Sequence, residues 1–196
     1  MTLLPPHLPP SWPLSTCGWM WVVWVFCWVV SANFTLKMKK NETLARLQHT
    51  IPTTFGMVAL FHHGNVPELD WGVLYYSTAT AIMGIAMTFV GLVFSGWARV
   101  HLGKYWSGTV ALKEGHRLII SGPYAFVRHP IYTGLLTAVL GTAFAVGTKE
   151  AFTGFIVMIP AYILKWRREE KLMRQEFGQE YADYAARSKA IIPFVI

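Results

Sequence analysis

The sequence predicts an all-α integral membrane protein of about five transmembrane helices, and three observations carry that expectation. Of its 196 residues, 54% are apolar and only 14% charged, a balance that calls for lipid as the solvent around much of the chain. The apolar residues gather into uncharged runs near the roughly twenty residues that a spanning helix needs. The basic residues gather between those runs, on what the positive-inside rule makes one side of the membrane.

Taken in order, the run TCGWMWVVWVFCWVVSANFTL, residues 16 to 36, is the first span. Lys37, Lys39, Lys40 and Arg46 follow it, which assigns that end to the cytoplasm and the N-terminus to the outside. The opening MTLLPPHLPPSWPLST has no basic n-region and is rich in proline, so it reads as an irregular lead rather than a cleaved address. The second span, about 49 to 61, is only moderately apolar and holds Pro52; its pattern extends backward through Leu44 and Leu47. After the breaker-rich HHGNVPELD comes a third span, 71 to 97, in which the small residues Gly84, Ala86 and Gly91 are expected to let another helix approach closely.

Residues 99 to 129 are polar and glycine-rich, a loop long enough to imply a task. Two further spans, about 131 to 147 and 151 to 166, are joined by the turn GTKE. The last section, KWRREEKLMRQEFGQEYADYAARSK, is a charged helical pattern with apolar positions at Leu172 or Met173, Phe177, Tyr181 and Tyr184. With five spans, 16 of the 17 Lys and Arg residues fall on the cytoplasmic side and only Lys149 outside. Removing the weak second span would put one of the clusters on the wrong side. The chain is thus expected to be a single membrane domain over 1–196, with three N-terminal helices in 1–98 and a second half in 99–196.

Several functions are disfavoured. The net charge of +7 is what anionic headgroups attract, so no nucleic-acid partner is expected. Cys17 and Cys27 are ten positions apart, which suits neither a disulfide framework nor a metal site, and no HExxH pattern occurs; no metal is expected.

Three places could carry chemistry. In GPYAFVRHPIYTG, residues 122 to 134, Pro130 fits the first position of a helix and biases His129 to extended geometry. Arg128 and His129 then stand at a helix N-terminus, whose N–H groups and positive dipole end favour an anion. Read locally, Arg128 is equally a stop charge and His129 an interfacial residue. Glu169 and Glu170 sit about 100° apart on the last helix, so one is expected to face the bundle while the other makes surface pairs such as that with Arg174. A solvated helix face explains both without any function. His116, in KEGHRLIISGPY, is on its own a loop histidine, and Tyr124 and Tyr132 are on their own interfacial aromatics.

Together, GHRLIISGPYAFVRHPIYTG, the pair of apolar helices after it, and REEKLMRQEFGQEYADYAARSKAIIPF resemble the isoprenylcysteine carboxyl methyltransferase family and its phospholipid methyltransferase relatives. The resemblance covers about residues 95 to 196. It implies a helical membrane methyltransferase that uses S-adenosylmethionine without a Rossmann domain. The acceptor it implies is lipophilic or membrane-partitioning, an isoprenylcysteine carboxylate being the family's name-giving case, with membrane lipid around it and the active site facing the cytoplasm. By motif position the cofactor is expected at His116, Arg117, Leu118, Ile119, Tyr124, His129, Pro130, Tyr132 and Glu169. Lys165 and Arg128 are the candidate catalytic residues. Lys165 stands where many family members have an arginine that orients the acceptor carboxylate, and lysine lacks the bidentate fork. A non-catalytic membrane protein of the same fold, or a relative of the membrane NADPH-dependent reductases, are the alternatives at this point.

Overall fold

A computed structural model of the chain describes residues 9–35, 43–62, 71–106 and 117–192. Its order is α1 (Trp12–Ala32), α2 (Thr43–Phe61), α3 (Thr78–Leu102), α4 (Pro130–Val146) and α5 (Lys149–Arg187), with short 3-10 turns at Gly103–Tyr105 and Gly122–Ala125. Among the described residues no extended segment forms more than an isolated bridge: Val73 with Thr148, and Val127 with Lys189.

Helix α1 starts four residues earlier than its apolar run, because Pro13 lies in the first turn, where a missing N–H breaks no intrahelical bond. Trp21, Trp24 and Trp28, spaced three and four apart, share one face of it. Trp21 Nε1 donates to Thr142 Oγ1 at 3.0 Å and Trp24 Nε1 to Ser95 Oγ at 2.9 Å, while Val22, Phe26 and Val29 face outward. Cys17 is buried against this seam and Cys27 is exposed. Helix α2 does extend back to Thr43, and Pro52 lies inside it without ending it.

Helix α3 departs from the expected start at residue 71. Apolarity alone does not distinguish a helix from an irregular edge, and 71–77 is not helical: Leu74 N and Tyr75 N both donate to Gly147 O. The helix begins where its cap is, with Ser77 Oγ accepting from Thr80 N and Thr80 Oγ1 accepting from Ser77 N. It runs on to Leu102, so the first residues of the expected 99–129 loop are helical.

Among the described residues, α3 and α4 share the most extensive helix contact. A Cβ on Gly84 would stand 2.4 Å from Ala145 N and 2.5 Å from Gly141 O; one on Gly91 would stand 2.5 Å from Ala138 N and Gly134 O. The expectation for Ala86 is corrected: it is exposed, because two residues along a helix from Gly84 is about 200° away. The inward positions are Gly84, Thr88, Gly91 and Ser95. Thr88 Oγ1 and Thr142 Oγ1 lie 3.1 Å apart across the seam, an interhelical bond worth about 0.6 to 2 kcal/mol in lipid.

The turn GTKE is as expected: Gly147 closes α4 at φ 73° and Thr148 Oγ1 accepts from Ala151 N to open α5. Helix α5 then unites two segments that the charge pattern separates. It continues for 39 residues, interrupted only at Gly178 (φ 50°, ψ −120°). It packs on α2 through Gly56 and Gly154, where a Cβ on Gly154 would stand 2.5 Å from Gly56 O, and on α4 on its other side. Helices α1 and α3 are long and apolar enough to cross a membrane, and α4 is apolar and shorter.

Candidate active site

Where α4 starts and α5 leaves the apolar part of the bundle, the charged residues converge. Helix α4 begins at Pro130, and its N-cap residue His129 has no side-chain cap bond. The backbone ahead of it is held from the far end of the chain: Arg128 N donates to Lys189 O at 2.8 Å and His129 N to Ala190 O at 2.9 Å. Thr133 Oγ1 donates to Ile191 O at 2.7 Å. That return is possible because α5 breaks at Gly178, a left-handed position suited to glycine.

Adjacent carboxylates on α5 clasp the His129 ring from two sides. Glu169 Oε2 lies 3.6 Å from Nδ1 and Glu170 Oε1 3.3 Å from Nε2. The ring stacks on Tyr132 (5.6 Å between centroids, 10° between planes) and, at 6.3 Å, on Trp166. Burial opposes charging of this imidazole, yet the two carboxylates outweigh it and raise its pKa above the ordinary histidine value. Burial likewise opposes ionisation of the acids, and bonding to His129 outweighs it: Glu169 is held below the usual carboxylate range, and Glu170, which Arg128 also supports, is pulled down to about 2.

The surface role expected for Glu170 is therefore corrected. Its partner is Arg128, whose Nε donates to Oε1 at 2.8 Å, rather than Arg174. Arg128 also donates to Ala185 O at 3.2 Å and to Ser188 O, so its guanidinium ties the start of α4 to the end of α5. Two residues 100° apart both find use because His129 lies between their directions.

Glu169 Oε1 accepts from Tyr132 Oη at 2.5 Å. Lys165, one turn before Glu169, places its ammonium 5.4 Å from the Tyr132 ring centre. Tyr184 Oη donates to Tyr124 O at 2.6 Å, and burial pushes the Tyr184 phenol up to about 12. These groups open on a cavity of about 440 Å³, the size range of small-molecule sites.

Of the residues expected to form the site, Leu118, Ile119, Tyr124, Arg128, His129, Tyr132, Lys165 and Glu169 all line this cavity. Pro130 is fully buried beside it. Arg117 is exposed, and His116 lies outside the described residues. The sequence did not signal that Trp21, Trp24, Trp28 and Trp106 form the cavity's apolar end, or that His49 and Tyr162 enter its wall. Arg99, expected as a cytoplasmic end charge, is 4% exposed. It donates to Ser31 O and Gly103 O and lies 4.4 Å from the Trp106 ring centre.

The model of the isoprenylcysteine carboxyl methyltransferase family matches residues 81–175. A probable protein-S-isoprenylcysteine O-methyltransferase of Oryza sativa subsp. indica is 30% identical over 173 residues, covering 80% of this chain and 84% of that protein. The chain belongs to this family. Protein-S-isoprenylcysteine O-methyltransferase B of Arabidopsis thaliana is 28% identical over 132 residues, 64% of this chain and 61% of that one. A solved structure of a eukaryotic intramembrane Ras methyltransferase, isoprenylcysteine carboxyl methyltransferase, superposes with a TM-score of 0.57 at 23% identity. That match covers 80% of this chain and 55% of the solved one, so the chain spans a little over half the length of that relative. At this identity the likeness speaks for the family's fold.

Proposed function

We propose that this protein is an S-adenosylmethionine-dependent methyltransferase acting on the carboxylate of an isoprenylcysteine or a similar lipophilic acceptor. The observation that carries the reading is the cluster of Glu169, His129 and Tyr132 at one end of a cavity whose other end is apolar and aromatic. The donor set fits the cofactor: a carboxylate for an ammonium group, the imidazole and the free N–H groups at the start of α4 for a carboxylate, and tyrosine faces for a cationic sulfur. Glu169, His129, Tyr124, Tyr132, Leu118 and Ile119 are the residues we assign to it, with His116 and Arg117 as further candidates from the motif.

Bound there, S-adenosylmethionine would supply a methyl group to an acceptor carboxylate oxygen, the electron pair of the broken S–C bond remaining on sulfur. No proton moves, so the chain needs no general base. The side chains hold the reacting groups in line and keep water out, which is worth on the order of 7 to 11 kcal/mol when alignment is good. Tyr132 and His129 fix the direction of the Glu169 carboxylate, and Lys165 is the cation nearest to meet an acceptor carboxylate. Arg128, engaged with Glu170 and two backbone carbonyls, serves to hold the start of α4 in register with α5.

The same reading arranges the chain as five spans with the N-terminus outside and the polar end of the cavity at the cytoplasmic surface. The clusters of basic residues support that orientation. A polar cofactor then enters from the cytosol and a lipid-tailed acceptor from the side.

The test is calorimetry on the purified protein with S-adenosylmethionine, followed by mass spectrometry of N-acetyl-S-farnesylcysteine incubated with labelled cofactor. Binding and a base-labile methyl ester are expected. Glu169→Gln and His129→Ala are each expected to weaken cofactor binding about 10- to 100-fold, as loss of a charge-assisted bond does. Absence of binding heat in the wild type, or wild-type affinity in both variants, overturns the reading.

A further inference from the structure

Helix α2 contributes His49, Thr53 and Met57 to the cavity wall. His49 stands against α5, with its ring edge-on to Tyr162 at 5.0 Å between centroids and 87° between planes. Its Nε2 is excluded from solvent and has no hydrogen-bond partner. Buried polar atoms are almost always paired, and one left without a partner in a residue that lines a cavity is a place for a ligand to bond. His49 does not float there: Thr53 Oγ1 donates to His49 O at 2.7 Å, and the close approach of Gly56 to Gly154 fixes α2 against α5.

Position decides which ligand. Tyr162 lies seven residues before Glu169 on α5, about two helical turns toward the apolar part of the bundle. His49 is therefore set on the membrane side of the Glu169, His129 and Tyr132 cluster. It shares its surroundings with Lys165, and the charges of Lys165 and Glu169 both reach it.

We propose that His49 is a specificity-determining residue for the acceptor, its Nε2–H donating to one oxygen of the acceptor carboxylate while the Lys165 ammonium pairs with the other. Two side chains from different helices thereby present to a carboxylate the pair of donors that a single lysine cannot. This rests on the methyltransferase reading above. Because the acceptor is already ionised, His49 gives a hydrogen bond and takes no proton, so the transfer step is unchanged in atoms and charge.

The experiment compares N-acetyl-S-farnesylcysteine with its carboxamide as ligands for the wild-type protein and for His49→Ala, His49→Gln and His49→Phe. Binding is read by competition and thermal shift, turnover by ester formation. His49→Ala is expected to raise KM for the acid about tenfold or more while cofactor affinity stays within about twofold. It should also narrow the preference for acid over amide, leaving the share that the Lys165 charge supplies. Glutamine, which keeps a donor, should restore part of that preference and phenylalanine none. An unchanged KM and unchanged preference in His49→Ala overturns the proposal, as does an equal loss for acid and amide. If the wild type binds the acid without methylating it, the methyltransferase reading fails and the acid-over-amide preference still decides the role of His49. A wild type that neither binds nor methylates overturns both.

Discussion

Two helix interfaces of this protein are built in opposite ways. Between α3 and α4 the chain places Gly84, Gly91, Gly134 and Gly141, so backbone meets backbone and the hydroxyls of Thr88 and Thr142 are paired. Where α4 and α5 diverge toward their charged end, it places Tyr132, Tyr162, Trp166, His129 and Glu169, and the rings hold the helices apart around a cavity. The first interface has no room and pairs its threonine hydroxyls; the second has room, and α2 brings to the same cavity a polar atom without a hydrogen-bond partner, His49 Nε2. Small side chains make the rigid scaffold, and large ones make the space for chemistry.

The comparison is broken most severely at the glycines. Gly91→Val would drive a Cβ to 2.5 Å from backbone atoms of α4, which cannot swing aside as a side chain can. A loss of about 3 kcal/mol or more is expected, at or beyond the upper end of overpacking costs, read as a collapse of the thermal unfolding midpoint in detergent. At the other interface, Arg128→Ala leaves Glu170 without its cation and the 185–189 turn without its donor. It is expected to cost about 2 kcal/mol, the scale of a hydrogen bond to a charged group, and to expose the C-terminal segment to faster amide exchange.

That same ion pair has a pH signature. Glu170 titrates at about 2 in the folded chain, lower than when unfolded, so its contribution is complete above the ordinary carboxylate pKa and is lost as pH falls toward 2. Arg128→Ala should flatten this acid limb of a plot of unfolding midpoint against pH. An unchanged limb would assign the effect to other carboxylates.

The smallest expected effect sharpens the contrast. Gly96 is on the same helix as Gly91, yet a Cβ there meets nothing within 4 Å. Gly96→Ala should be neutral or stabilise by up to about 1 kcal/mol, from helix propensity alone. A large destabilisation would show that the seam is wider than the glycine pairs mark.

The scaffold was legible in the sequence wherever one signal fixed one outcome. Gly84 and Gly91, seven apart in an apolar run, marked the seam, and the GTKE stretch marked the turn between the last two helices. Misplaced boundaries arose where two signals overlap. The apolar stretch 71–77 hid a non-helical segment whose end only the Ser77 and Thr80 cap betrays. The switch from apolar to charged near residue 166 was taken as a change of element, although nothing there interrupts a helix.

In the site, Glu169, His129 and Tyr132 were readable because they belong to two compact motifs. The double use of Glu170 depends on where His129 sits between two helical directions, and the place of His49 depends on how α2 leans on α5, more than 110 residues away. No local pattern encodes either. The tryptophans of α1 lie in an apolar run without a local mark of their role, and only their shared face, turned toward Ser95 and Thr142, makes them a wall.

Gly178 gives the arrangement its last constraint. A Cβ there has open space around it, so it is the sign of one torsion, φ 50°, and not crowding, that calls for glycine. Were that torsion negative, the helix would run straight on and carry Tyr181 about 4.5 Å and Tyr184 about 9 Å beyond Gly178 along its axis, away from Arg128 and Tyr124. The cavity would lose its floor while every membrane-facing residue stayed where it is. A single dihedral thus separates a vessel from an open trough, and a variant such as Gly178→Ala would show whether the vessel can be opened without disturbing its walls.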